Sequence, residues 1–339
     1  MKVLENAVKK TVIFGENQKS KACHIALAGT TNYLPHLAMV MLSIRKYNSQ
    51  HSFCFHVFLQ DISAADLRNV EYISTLIKAV IQVHVMNDEA FKEIVSDNYA
   101  ASYWYRLIMP DFLSNQTDRV LYLDGDMMCH GDLKELFEVE VGIDCVAGVV
   151  TDRNAKYQCQ RLGTQSYFNS GMMLFYTQNW QANHMLEKVV KKIDWCKKNL
   201  DYKGHVKGWH GLYYQDQNVL NSVCDGKLHW FPKKFNYLYV LDRHAFYKKQ
   251  FVNEAYRNQC ILHFAGYTKP WHAWANYYEV IKEYSELKKQ SPWKDIPMVQ
   301  PKGKKQYHQA ARTALLFGET RLSLKWYKIY WLYKLHLIR

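Results

Sequence analysis

The chain has 339 residues, 48% of them hydrophobic, and a formal net charge of +13. That length and apolar content allow one large domain or two smaller ones with a substantial core, and they exclude a helix of bilayer-spanning length, because no uninterrupted apolar run is long enough. Residues 301–339 hold nine Lys/Arg against one acid, Glu319, so +8 of the +13 lies in the tail, which points to an anionic partner: nucleic acid, anionic lipid or a phosphorylated glycolipid.

The first 20 residues carry no signal-type apolar stretch. A polar leader, residues 1–23, precedes a buried strand from His24 to Gly29. Leu37 to Tyr47 follows a helical period, and Phe53–Leu59 is a second strand. Ser63–Ser74 reads as a helix capped by Ser63 with Asp66 three residues on. Val80–Val85 is a third strand, and Ala101–Met109 is helical, stopping before Pro110. Val120–Leu123 is a fourth strand and Cys145–Val150 a fifth. Alternating strands and helices imply an α/β protein with a mostly parallel sheet and helices on both faces, whose ligands sit beyond the carboxyl ends of the strands. The Gly29–Tyr33 loop and Asp124-Gly125-Asp126 both fall there.

Asp124-Gly125-Asp126 is the sharpest chemical signal. Two carboxylates closing a buried strand repel unless a cation lies between them. A hard divalent ion, Mg²⁺ or Mn²⁺, meets that need and shares its oxygen ligands with a phosphorylated substrate. An isolated Asp-Gly-Asp is more often a plain turn, so its company matters. His263, Gly266 and Lys269 lie within seven residues and suit a metal ligand, a close backbone approach and a point charge for a diphosphate. Asn169, before Gly171 and an apolar run, suits a sugar hydroxyl or a turn cap, and Tyr214-Gln215-Asp216-Gln217-Asn218 suits a polyhydroxylated ligand or a helix start. Arg106, after Tyr103-Trp104-Tyr105, pairs with a carboxylate or a phosphate or lies on a helix surface.

The eight cysteines form no C-x-x-C pair and no zinc-like cluster, which fits reduced core residues of a cytosolic protein. Gln290–Lys305, with three prolines, four lysines and a glycine, reads as a linker. From Arg321 to Arg339, Leu322, Trp326, Ile329, Tyr330, Tyr333 and Leu337 share an arc of about 100° on a helical wheel. Arg321, Lys325, Lys328 and Arg339 cluster elsewhere, which is the pattern of an interfacial membrane helix; the plainer reading is a helix docked on the core.

In order along the chain, Asn32-Tyr33, Arg106, Asp124-Gly-Asp126, Asn169-Ser-Gly171, Asp216-Gln217 and His263…Gly266…Lys269-Pro-Trp resemble glycosyltransferase family 8, over residues 24–275. With Trp271-His-Ala-Trp274, Ser291-Pro-Trp293 and the basic tail, the chain looks most like bacterial lipopolysaccharide outer-core α-glucosyl- and α-galactosyltransferases. The resemblance implies a GT-A fold over residues 24–280, followed by a linker and basic aromatic helical region, 281–339. It implies a UDP-hexose donor, glucose or galactose, a lipopolysaccharide-core acceptor and retention of configuration. It places Mn²⁺ or Mg²⁺ on Asp124, Asp126 and His263. It sets Thr30, Asn32, Tyr33, Arg106, Asp124, Gly125, Asn169, Gly266 and Lys269 around the donor, with Gln217 and Asp216 as the candidate catalytic groups. The chain departs from the pattern at Thr30, where many relatives carry Asp: a hydroxyl hydrogen-bonds there but supplies no charge. The implied location is cytoplasmic, peripheral on the inner face of the inner membrane. A family 8 transferase acting on a soluble or protein acceptor, and a non-catalytic UDP-sugar-binding protein at a membrane, are the alternatives. Nucleic acid is not an expected partner, because the basic residues sit among apolar aromatics and no recognition motif is present.

Overall fold

In the computed structural model the described residues are 6–16, 22–92, 94, 100–199, 216–241 and 256–338. An eight-stranded mixed sheet has the order β1-β4-β3-β2-β5-β8-β7-β9. Its members are β1 (Val8–Phe14), β2 (Cys23–Gly29), β3 (Phe53–Leu59), β4 (Val80–Met86), β5 (Arg119–Leu123), β7 (Ala147–Thr151), β8 (Phe168–Tyr176) and β9 (Leu228–Trp230). Strands β4, β3, β2 and β5 run parallel, whereas β1 and β8 run against their neighbours. A second, three-stranded sheet joins β10 (Tyr237–Leu238), β11 (Ile261–His263) and β6 (Met127–Cys129).

The strand residues alternate between two apolar layers. Ile25, Leu27, Leu121 and Leu123 enter one, with the helix Leu34–Tyr47 packed on it; Ala26, Val120 and Tyr122 enter the other. Both faces are covered, as parallel strands with apolar runs require. Met127 and Met128 are core residues. All eight cysteines are free.

Several expectations shift. Part of the stretch read as a polar leader, Val8–Phe14, is the edge strand β1, paired antiparallel with β4; its exposure and two lysines hide the alternation. The first helix begins at Leu34, with Pro35 in its first turn, where a missing N–H costs nothing. Ser63 and Asp66 form the expected capping box, and the helix runs to Ile77, ending on left-handed Lys78. The helix expected over Ala101–Met109 is two 3₁₀ turns, Ala101–Tyr103 and Tyr105–Leu107, and Pro110 lies in the first turn of the helix Met109–Leu113 instead of ending one.

The stretch read as a linker is packed: Trp293 is buried, Val299 bridges His272, and Gly303 starts the helix Gly303–Leu316. The helix Thr320–Lys334 folds back on it after Gly318, at φ +86°. Trp274, Ala310, Ala311, Ala314 and Trp326 make a small core there. Tyr330 stacks on His308 at 4.6 Å and Tyr333 on Tyr307 at 5.8 Å. The helical arc read as membrane-facing is therefore mostly the docked face. What stays exposed is Leu324, Trp331, Leu335 and Leu337, beside exposed Arg321, Lys325, Lys328 and Lys334; Arg339 lies outside the described residues. Among the described residues no helix is long and apolar enough to cross a membrane.

Candidate active site

Three chain segments meet at the carboxyl end of β5. Backbone pairing continues past the strand, with Asp124 N–H donating to Gly171 O at 2.8 Å, so Asn169-Ser170-Gly171 of β8 lies alongside the aspartates. Strand β6 then pairs antiparallel with β11 in the register Met127↔His263, and Phe264 N–H donates to Asp126 O at 2.9 Å. That small sheet carries His263 to Asp126, across 137 residues of chain.

One ligand atom each from Asp124, Asp126 and His263 lie within 4.8 Å of one another. His263 Nε2 is 3.3 Å from Asp126 Oδ1, an oxygen shielded from solvent and without a hydrogen-bond partner. A Cβ on Gly171 would stand 2.6 Å from His263 Cε1 and 2.8 Å from Asp124 Oδ2, so only glycine leaves room for the three donors to converge. Two carboxylates and an imidazole, an unpartnered buried oxygen and a cradle that a methyl would fill together fit Mn²⁺ or Mg²⁺.

The surrounding charges are compensated from several directions. Arg106 is buried, and its guanidinium is divided: Nη2 donates to Asp124 Oδ1 at 2.9 Å, Nη1 to Ser170 O at 2.8 Å, and Nε faces Asp216 Oδ2 at 3.2 Å. It stacks over Tyr122, whose hydroxyl donates to Asp124 Oδ1 at 2.6 Å. Burial alone would loosen the Arg106 proton, but Asp124, Tyr122 and Asp216 outweigh it and hold it more tightly than in water. Burial likewise works against the Asp126 anion, yet His263 and Lys269 keep its carboxyl well below the ordinary range. Lys269 Nζ is 2.5 Å from Asp126 Oδ2 and donates to Phe264 O at 2.9 Å. For Asp216 burial wins: its carboxyl is pushed up, with Arg106 opposing and Asp124 adding to the rise.

Uncharged amides hold the rest. Gln217 Oε1 accepts from Ser170 N–H at 3.0 Å, and its Nε2 donates to the Tyr167 hydroxyl at 2.9 Å. Asn236 joins His263 Nδ1 (3.1 Å) to Asn169 Oδ1 (3.0 Å), fixing the imidazole with Nε2 toward Asp126. A Cβ on Gly125 would lie 2.6 Å from Leu37 Cδ2 and 3.5 Å from the Tyr33 ring. Tyr33 is two-fifths exposed and meets Trp271 edge-on at 5.6 Å; its hydroxyl pKa is pushed up to about 12, chiefly by desolvation, with Tyr103, Asp126 and Asp124 adding to the rise. Gly266, at φ +110°, adopts backbone open to glycine.

The structure thus gathers Arg106, Asp124, Asp126, Asn169, Asp216, Gln217, His263 and Lys269, and sets Tyr33 against Gly125. Thr30 and Asn32 line a cavity of about 770 Å³ with Asp61, Asp88 and Glu89. Tyr214 and Gln215 lie outside the described residues. Arg106 is neither a helix-surface residue nor open to solvent; it ties Asp124 to Asp216. Sequence reasoning missed Asn236, which carries no local signal, and Tyr122, which strand alternation places on the same side as Asp124.

A solved structure of the galactosyltransferase LgtC with donor and acceptor sugar analogues superposes with a TM-score of 0.63 at 22% identity, covering 79% of this chain and 96% of that one. At that identity the likeness carries the fold, which is GT-A. The lipopolysaccharide glucosyltransferase WaaO of Escherichia coli (strain K12) is 28% identical over 299 residues, 86% of this chain and 85% of its own length. The lipopolysaccharide 1,3-galactosyltransferase of Salmonella typhimurium is 27% identical over 318 residues, 91% of this chain and 90% of its own. The sequence model of glycosyl transferase family 8 matches residues 24–275, through every segment that builds the site, and the chain belongs to that family.

Proposed function

We propose that the protein is a retaining, metal-dependent transferase that moves a hexose, glucose or galactose, from a UDP-sugar to a hydroxyl of the lipopolysaccharide core. The observation that carries this reading is the convergence of Asp124, Asp126 and His263, with Lys269 on the same carboxylate, at the carboxyl edge of the sheet. Lipopolysaccharide hexosyltransferases among the relatives favour that acceptor and donor class over a soluble or protein acceptor.

Asp124, Asp126 and His263 would hold Mn²⁺ or Mg²⁺, which would supply positive charge against the departing nucleoside diphosphate. Lys269 adds a second cation beside it. The cavity at Thr30 and Asn32 receives the nucleoside, with Asp61 and Asp88 supplying carboxylates that Thr30 lacks. Asn169 and Gln217 face the sugar. Neither candidate nucleophile is free: Asp216 is paired with Arg106, and the Gln217 amide, weakly nucleophilic by nature, is held at both ends. That favours front-face substitution, in which the sugar–oxygen bond breaks as the acceptor oxygen bonds from the same side and its proton passes to the leaving phosphate oxygen.

The exposed Leu324, Trp331 and Leu335 with their neighbouring cations form the face that rests on the cytoplasmic side of an anionic inner membrane, each cation contributing on the order of 1 kcal/mol. Replacing all three by Gln should release the protein from anionic vesicles while leaving the docked Trp326 in place; equal sedimentation with vesicles would remove the membrane from this reading. The test of the reaction offers purified protein a panel of UDP-sugars with Mn²⁺ and truncated lipopolysaccharide and follows UDP release and product linkage. UDP release that is equal with and without the lipopolysaccharide acceptor, and yields no elongated product, overturns the proposed acceptor; absence of release with every UDP-hexose overturns the transferase assignment outright.

A further inference from the structure

We propose that His24, Cys54 and His56 form a second metal site, for Zn²⁺, on the face of the main sheet. Donor atoms of the three residues lie within 4.8 Å of one another, and none belongs to the Asp124 set. Cys54 and His56 are two apart on β3 and share a face; His24, on β2, is in register with Cys54.

The spacing suits a tetrahedral ion. With Zn–S about 2.3 Å and Zn–N about 2.05 Å, tetrahedral ligands stand roughly 3.5 Å apart for S···N and roughly 3.3 Å for N···N. Cys54 Sγ is 3.6 Å from His56 Nε2, and His24 Nδ1 is 2.9 Å from the same nitrogen. Opening the two imidazoles by a few tenths of an ångström brings their spacing to the tetrahedral value, and the third separation, His24 to Cys54, lies within 4.8 Å. A thiolate and two imidazoles select a borderline-soft ion, in contrast with the oxygen-rich set at the active site.

The outer contacts are those of a ligand set. His56 Nδ1 lies 3.1 Å from His84 Nε2, and His84 Nδ1 lies 2.9 Å from Thr11 Oγ1. With His56 Nε2 on the ion, its Nδ1–H donates to His84, whose own Nδ1–H donates to Thr11, so every tautomer is fixed. Gln82 Nε2 donates to Cys54 Sγ at 3.6 Å, a contact that favours the thiolate. Burial pushes the Cys54 thiol up to about 11, so it is the metal that displaces the proton, one per ion bound, into the buffer. His24 is half-buried at a cavity of about 440 Å³ that also holds Thr117 and Asp118, giving an ion a route in and a carboxylate on the way. The fourth position would be left to a ligand that reaches the ion from the His24 side.

The test uses full-length protein carrying Asp126→Ala, stripped with chelator, so that the carboxylate site does not compete. Titration with Co²⁺ should give a thiolate-to-cobalt charge-transfer band and tetrahedral visible bands that saturate at one equivalent, and Zn²⁺ should bleach them. Cys54→Ser should abolish the charge-transfer band. His84→Phe, which keeps a ring in the stack but removes the outer partner, should weaken Zn²⁺ binding by about 10–100-fold. Circular dichroism checks folding, and if Cys54→Ser does not fold, His24→Gln at the half-buried end replaces it, with loss of the one-equivalent saturation as its readout. No charge-transfer band, a band that survives in a folded Cys54→Ser protein, or unchanged saturation in His24→Gln overturns the proposal and leaves the residues as a neutral hydrogen-bonded seam.

Discussion

Two polar clusters are embedded in one sheet, and they are built on opposite principles. At the carboxyl end of β5 the groups are charged: Asp124, Asp126 and Asp216 against Arg106 and Lys269, with His263 alongside. Across β2, β3 and β4 the groups are imidazoles in a line, His24 to His56 to His84, stacked and hydrogen-bonded. Burial lowers all three imidazole pKa values, that of His84 to about 4, and keeps the rings neutral. Charges removed from water need partners from many directions, or each costs several kcal/mol. Accordingly the charged cluster draws on a 3₁₀ turn, the end of β5, the start of the helix Asp216–Cys224, and β11 of the second sheet with the loop after it. A neutral seam needs only its neighbours in the ladder. The first arrangement leaves a carboxylate oxygen unsatisfied and ready for a ligand; the second satisfies its rings among themselves as long as no ion displaces the Cys54 proton.

The comparison breaks hardest at Asp126. Asp126→Ala should lower transfer by roughly 10²-fold or more in protein that circular dichroism shows to be folded, because it removes a metal ligand and the partner of Lys269 at once. EDTA should abolish transfer and Mn²⁺ restore it; undiminished turnover by dialysed protein in EDTA would take the metal out of the reaction. Next comes Gly171→Ala, whose methyl displaces His263 or Asp124. Mn²⁺ affinity, measured by calorimetry, should fall by about 10-fold or more, on the scale of disturbed ligand support. Unchanged affinity would mean the three donors do not act together.

A finer cut separates charge from amide within the charged cluster. Lys269→Ala should weaken UDP binding and transfer in parallel, whereas Gln217→Ala should reduce transfer more than UDP affinity. Equal losses of UDP affinity in both variants would move Gln217 away from the sugar. The smallest effect belongs to the seam and appears as a pH slope. A histidine whose folded pKa lies below its unfolded value binds its proton in the unfolded chain first, so it contributes nothing to the slope well above pH 6.5 and destabilises the fold as pH drops toward the folded value. His84 should therefore cost at most about 1.4 kcal/mol per pH unit between pH 6.5 and 5. Asp126, held below its ordinary value, stays ionised throughout that window and adds no slope. Urea midpoints across the window should fall less steeply in His84→Phe than in the parent; equal slopes would show that His84 does not titrate between the two states.

Legibility in the sequence followed the same division. The strand Val120–Leu123 and its terminal aspartates were readable because an apolar run and its break are local. So were the Ser63 cap and the pattern of alternating strands and helices. The edge strand β1 was not, since Lys9 and Lys10 face solvent and blur the period. The run from Ala101 to Met109 looked helical because its apolar residues are dense, but they bury in all directions and the backbone settles into 3₁₀ turns around the Arg106 side chain.

The sequence by itself determined which chemistry is present: two carboxylates after a strand, a histidine and a lysine near a glycine, amides around a further carboxylate, and an aromatic, basic C-terminal helix. Tertiary structure decided what those groups face. Only the β6–β11 pairing places His263 on Asp126, only Gly171 on the neighbouring strand leaves the space between them, and only packing turns Arg106 inward onto two aspartates. In the tail, periodicity defined an apolar arc, but the helix Gly303–Leu316 covers it, leaving Leu324, Trp331 and Leu335 outside. The physical reason is the same throughout: period and propensity act over a few residues, whereas which face is buried and which charge is paired depend on segments more than a hundred residues away.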